Sequence, residues 1–114
     1  MKKKIKVIGD IMLDVWCDGV FEKKSAEAPI KIFVSKKVNF SLGGVGNLCF
    51  NLKSLKIDHE LFTETGNDKN SLRIKEILKK QKIKSNIYQS KKISTVKERF
   101  FYKNKQIFRR DHED

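Results

Sequence analysis

Lys4-Ile5-Lys6-Val7-Ile8-Gly9-Asp10-Ile11-Met12-Leu13-Asp14 begins with a β-branched apolar run that a glycine and an acid bring to a stop. Short runs rich in Ile and Val, ended by turn residues, form buried strands. Residues 5–8 are therefore expected to be a first strand, followed by a loop. Asp10 and Asp14 then lie just beyond its C-terminal end, where open α/β sheets take their ligands. Working outward, Ile30–Val34 after Pro29 and Lys36–Phe40 read as one or two further strands, partly exposed. Gly43-Gly44-Val45-Gly46-Asn47, the densest glycine cluster, runs into Leu48, Phe50, Leu52 and Leu55, and reads as a loop opening a helix. His59–Thr65 alternates as a strand, and Gly66-Asn67-Asp68 supplies a turn and an N-cap. Leu72, Ile74, Ile77 and Leu78 fall at helical spacing within 71–81. A short strand is expected over 83–89, and Thr95–Tyr102 with Gln106–Asp111 forms a hairpin about Lys103-Asn104-Lys105. Strands alternating with helices place the chain in the α/β class.

The 114 residues allow one core and one domain. Hydrophobic residues make up 39% and charged residues 35%, so a core can form and wholesale disorder is excluded. The net charge of +12 raises nucleic-acid binding. Four arginines among 26 basic residues, with the 22 lysines scattered through every segment, argue against it, because phosphate clamps and base readers favour the arginine fork. No apolar stretch approaches the roughly 20 residues of a membrane span, and Met1-Lys2-Lys3-Lys4 opens no signal peptide. Cys17 and Cys49 stand apart, as do His59 and His112, so neither a disulfide framework nor a metal site is expected, and the chain reads as cytoplasmic. One feature argues for more protein: a parallel sheet needs both faces covered, and two helices leave one face bare.

Asp14 can accept hydrogen bonds from a polyol, and Gly43-Gly44 ahead of a helix offers close backbone approach and free N–H groups. Equally, Asp10 can cap a turn, Asp14 can face water and the glycines can make a plain turn. Gly44-x-Gly46 is only part of a dinucleotide fingerprint, since Cys49 stands at the third glycine position and the loop does not follow the first strand.

Taken in order, six motifs resemble the N-terminal half of a ribokinase-like (phosphofructokinase-B-type) carbohydrate kinase. They are Val7-Ile8-Gly9-Asp10-Ile11-Met12-Leu13-Asp14, Ala26-Glu27-Ala28-Pro29-Ile30, Gly43-Gly44-Val45-Gly46-Asn47, Thr65-Gly66-Asn67-Asp68, Thr95-Val96-Lys97-Glu98-Arg99 and Gln106-Ile107-Phe108-Arg109-Arg110-Asp111. The Glu-Ala-Pro segment and the Thr-x-Lys-x-Arg hairpin make it most similar to the heptose 7-phosphate kinase domain of the bifunctional ADP-heptose synthesis enzyme. The resemblance implies an α/β sandwich with a small β-strand lid over about residues 16–40. It implies that Asp14, Gly43, Gly44 and Asn47 line a sugar pocket and that Lys97 and Arg99, alternate residues of one strand and so on one face, hold the substrate's phosphate. Arg109 and Asp111 match family positions with no role beyond ion pairing. Val45 stands where the family usually has a second small residue, Ser25-Ala26 where Ser-Pro is usual, and Arg110 replaces an apolar position.

The resemblance further implies that residues 1–114 form a partial kinase domain, with the Gly-Ala-Gly-Asp segment, its general base and the ATP pocket in a missing C-terminal half. No catalytic residue is therefore assigned here. ATP and Mg2+ would serve the full-length enzyme, with none bound by this chain alone and no turnover expected from it. The implied reaction is phosphate transfer from ATP to the anomeric hydroxyl of heptose 7-phosphate, for lipopolysaccharide precursor synthesis. Alternatives are a kinase for another sugar or a non-catalytic sugar-binding or dimerisation module. The implied partners are a sugar phosphate and a second copy of the chain, paired through the lid.

Overall fold

The computed structural model describes residues 4–114. In chain order the elements are β1 (Ile5–Ile8), β2 (Ile11–Lys24), β3 (Lys31–Gly44), α1 (Val45–Ser54), β4 (His59–Gly66), α2 (Lys69–Lys80), β5 (Ser85–Ser90), β6 (Val96–Tyr102) and β7 (Lys105–His112). They form two sheets, one of three strands ordered β1-β4-β5 and one of four ordered β3-β2-β6-β7. The first is wholly parallel, because each of its neighbours is reached through a helix.

The parallel sheet buries one face. Val7, Leu61, Ile83, Cys49, Ile74 and Leu78 form a shared core with Ile11, Leu13, Val15, Leu42 and Val96 of the second sheet. Gly46 belongs to that contact, since a Cβ there would lie 2.5 Å from the Leu42 Cβ. The opposite face carries Ile8, which is 77% exposed, and Tyr88, which is 71% exposed. The expectation of a bare face thus holds for the described residues.

Two expectations change. The loop expected after β1 is only Gly9 and Asp10, and the strand expected from about residue 16 begins five residues earlier, as a 14-residue strand over Ile11–Lys24. Ile11, Leu13, Val15 and Cys17 alternate inward with strand period. The glycine cluster is not a loop, because β3 runs through Gly44 and α1 begins at the next residue. Gly44 turns the chain at φ 62°, and a Cβ there would stand 2.3 Å from the Asp10 carbonyl oxygen.

The second sheet is larger than the expected lid. Strands β2 and β3 pair over their whole length, with bulges at Asp18/Gly19 and Phe21/Lys23, and each 14-residue strand spans about 46 Å. The 95–111 hairpin joins the same sheet: β6 pairs parallel to β2, Leu13 opposite Val96, and β7 closes the edge. The sheet projects from the core, so the radius of gyration is 17.3 Å and the longest dimension 66 Å. A compact domain of this length would have a radius near 13 Å. No helix among the described residues is long and apolar enough to cross a membrane.

Candidate functional site

Strand period sorts the lid sheet into two faces. Leu13, Val15, Leu42 and Val96 point into the core, and the same face continues outward as Phe33, Phe100 and Phe108. Phe100 stacks on Phe108 with ring centroids 4.5 Å apart and meets Phe33 edge-on at 5.8 Å. The opposite face is polar. Register places Met12, Asp14 and Trp16 of β2 beside Gly43, Ser41 and Asn39 of β3 and beside Lys97 and Arg99 of β6.

Asp14 sits at the centre of the polar face. Its carboxylate lies over Gly43, where a Cβ would come within 2.9 Å of Asp14 Oδ2 and 2.8 Å of Met12 Cγ, so glycine makes the room. Arg99 Nη1 approaches Asp14 Oδ1 to 3.1 Å, with both side chains mostly buried. Those two atoms are enclosed, yet the approach lacks hydrogen-bond geometry and neither has another partner. The Arg99 guanidinium also lies over the Trp16 ring, 4.7 Å from its centroid, and the Trp16 indole N–H donates to Ser41 Oγ at 2.9 Å. A carboxylate, a hydroxyl and an aromatic face on one rigid sheet suit a polyhydroxylated ligand.

The expected site residues separate into groups. Asp14, Gly43 and Arg99 come together, and Lys97 shares their face, directly opposite Asp14. Gly44 makes the strand-to-helix turn. Asn47 is exposed in the first turn of α1 and makes no side-chain hydrogen bond among the described residues. Arg109 and Asp111 form a two-point ion pair along β7, with Arg109 Nε 3.0 Å from Asp111 Oδ1 and Nη2 donating to Oδ2 at 3.0 Å. Trp16 and Ser41 were missed, although Trp16 follows Asp14 by two residues on a strand and so had to share its face.

Lys97 also reaches a neighbouring cavity of about 290 Å³ at the C-terminal ends of β1, β4 and β5. Asp10, Glu64, Thr65, Ser94 and Lys97 are among its lining residues, with Glu113 and Asp114. Four carboxylates beside two lysines, Lys92 and Lys97, do not fit a nucleotide triphosphate, and no three acidic, His or Cys side chains among the described residues gather as metal ligands.

Asp68 fixes the position of β6 beneath the site. It caps α2 by accepting from Ser71 N–H at 2.9 Å and also accepts from the Ser94 N–H at 2.9 Å and hydroxyl at 2.7 Å. The Ser94 hydroxyl accepts in turn from Gly66 N–H at 3.0 Å. A Cβ on Gly66 would lie 2.2 Å from the Lys92 carbonyl oxygen, so the glycine lets this connection pass. Burial alone would raise the Asp68 carboxyl, but its hydrogen bonds from Ser94, Ser71 and Asn70 outweigh that and hold it below the usual range. On the other face of β6, Glu98 is likewise held low: burial opposes ionisation, and His112 and Arg110 more than offset it.

No family model matches the chain. It is 29% identical to the bifunctional protein HldE of Nitratiruptor over 114 residues, all of this chain and 25% of that protein. It is 34% identical to the bifunctional protein HldE of Campylobacter concisus over 110 residues, covering 95% of this chain and 23% of that protein. The chain thus spans about a quarter of the length of these curated relatives. Among solved structures, a carbohydrate kinase from Agrobacterium tumefaciens superposes with a TM-score of 0.73 at 16% identity, covering 97% of this chain and 36% of that one. The fold is the N-terminal part of the ribokinase-like carbohydrate-kinase fold, and the similarity to the bifunctional HldE proteins holds along the whole chain.

Proposed function

We propose that this chain is the sugar-binding part of an ATP-dependent carbohydrate kinase whose substrate is heptose 7-phosphate, phosphorylated at its anomeric hydroxyl for lipopolysaccharide precursor synthesis. The observation that carries the reading is Asp14, held over Gly43 on a polar sheet face with Trp16, Ser41, Lys97 and Arg99 around it. Asp14 accepts sugar hydroxyls, the Gly43–Gly44 backbone gives the ring close approach, and Lys97 with Arg99 takes the phosphate already on the substrate. Asn47 joins the pocket from the first turn of α1.

The general base and the ATP–Mg2+ site lie in further polypeptide on this reading, with residues 1–114 as the partial domain and no turnover by this chain alone. The bare face of the parallel sheet, with Ile8 and Tyr88 exposed, supports this, because parallel sheets are covered on both sides. A homodimer through the lid is part of the reading, supported by the exposed Phe108, Val38, Phe40 and Phe21 on the lid strands. The cytoplasm is the compartment where such a precursor pathway and its ATP are found.

Titration of heptose 7-phosphate into the purified chain by calorimetry tests the sugar site. Saturable binding is expected, weakened at least about tenfold by Asp14→Asn, which removes the charge and keeps the shape. Equal affinity of wild type and variant would remove Asp14 from the pocket. Tighter binding of an unphosphorylated pentose or hexose would instead favour a kinase for another sugar.

A further inference from the structure

Among the described residues Arg99 has one anionic partner, Asp14. Its guanidinium lies against Asp14 at 3.1 Å without hydrogen-bond geometry, and both facing atoms are enclosed with no other partner. An enclosed ion pair left short of hydrogen bonds is weakly held, since its desolvation is incompletely offset. Across the sheet, register sets Arg99 directly opposite Arg109. Like charges facing one another on adjacent strands repel, and here each is drawn to a carboxylate, Arg99 to Asp14 and Arg109 to Asp111. Lys97, two residues along the same face, makes no ion pair among the described residues. Arg109 is held at two points by Asp111, which the register sets opposite Lys97, so the cations left for a dianion on this face are Lys97 and Arg99.

We propose that Arg99 is a phosphate-operated gate on the sugar pocket. With the phosphate subsite empty its guanidinium lies against Asp14 Oδ1; a substrate phosphate seated by Lys97 draws it away and frees both carboxylate oxygens for sugar hydroxyls. The proposal rests on the sugar-phosphate reading above and adds that the phosphate and sugar subsites are coupled. A guanidinium binds phosphate by two parallel hydrogen bonds, whereas its contact with Asp14 has none. Trp16, stacked on the guanidinium at 4.7 Å, gives it a surface along which to slide while staying desolvated. The outcome is discrimination: a sugar without a phosphate meets an Asp14 that is already engaged.

The test separates the two halves of the ligand. Unphosphorylated D-glycero-D-manno-heptose is titrated into the full chain with and without saturating inorganic phosphate, and phosphate is titrated with and without heptose. A gate requires phosphate to tighten heptose binding by about tenfold and, by linkage, heptose to tighten phosphate binding by the same factor. Arg99→Gln should bind heptose without phosphate as tightly as wild type does with it, and should lose the dependence. If both ligands bind wild type but neither affects the other, the gate is wrong and the sugar site stands. If heptose binds under neither condition and heptose 7-phosphate also fails, the sugar-site reading falls and the gate with it. The reciprocal measurement on wild type decides the matter even if Arg99→Gln does not fold.

Discussion

Asp68 accepts from three donors on two different segments, so its removal strips an N-cap from α2 and releases the Ser94 connection at once. Losing a cap and leaving buried donors unpaired costs about 2 kcal/mol together. Asp68→Ala should lower the urea midpoint accordingly, with the slope unchanged. The folded-state pKa lies below the unfolded value of about 4, so the stability it contributes is present above pH 4 and is lost as pH falls through the folded pKa. Asp68→Asn should therefore flatten part of the fall in stability seen for wild type below about pH 4, leaving the parts due to Glu98 and Glu60. Equal acid sensitivity of wild type and variant in thermal melts would contradict this. The cap was legible in Gly66-Asn67-Asp68, because a short acid after a glycine turn and before a periodic apolar run is an N-cap signal. The Ser94 partnership was not, since 26 residues separate the two.

At the level of elements, both helices end in the same way. Lys56 after α1 and Lys82 after α2 take left-handed conformations, at φ 58° and 57°, while the next amides, Ile57 and Ile83, reach back to the carbonyls of Leu52 and Leu78. This is the closure glycine usually supplies, and a side chain there costs about 1 kcal/mol or slightly more. Lys82→Gly should stabilise the chain by about that amount in urea unfolding, and a loss of stability would show that the lysine makes a compensating contact. Neither end carries the glycine that usually marks it, yet the helical apolar spacing over 71–81 places the end of α2 to within one residue. Strand β2 is the opposite case. Gly9-Asp10 punctuates strongly enough to mask the start of the strand, before Trp16, yet Ile11, Leu13 and Val15 against Met12 and Asp14 already show the period of a half-buried strand. The hairpin of β6 and β7 was readable, with Lys103 and Asn104 both at positive φ, as a two-residue turn of the tight hairpin kind requires.

Across the whole molecule, the site exists because a strand from one end of the chain lies parallel to one from the other. The β2–β6 register sets Asp14 opposite Lys97 and brings Arg99, 85 residues later, against its carboxylate. Nothing local encodes that pairing; Asp14, Lys97 and Arg99 lie in separate sequence motifs, and the sheet order makes them neighbours. The same order explains why the lid is four strands rather than the segment 16–40, and why it stands away from the core along a 66 Å axis. The central claim is that the polar face of this sheet receives a sugar phosphate. The most direct test is a titration of heptose 7-phosphate into the 15N-labelled chain, followed by two-dimensional NMR. The account predicts saturable shifts at the Trp16 indole N–H, the Gly43 and Gly44 amides and the Arg99 Nε–H, with the apolar-face Phe108 amide unmoved. Shifts confined to other surfaces, or none at millimolar ligand, would contradict it.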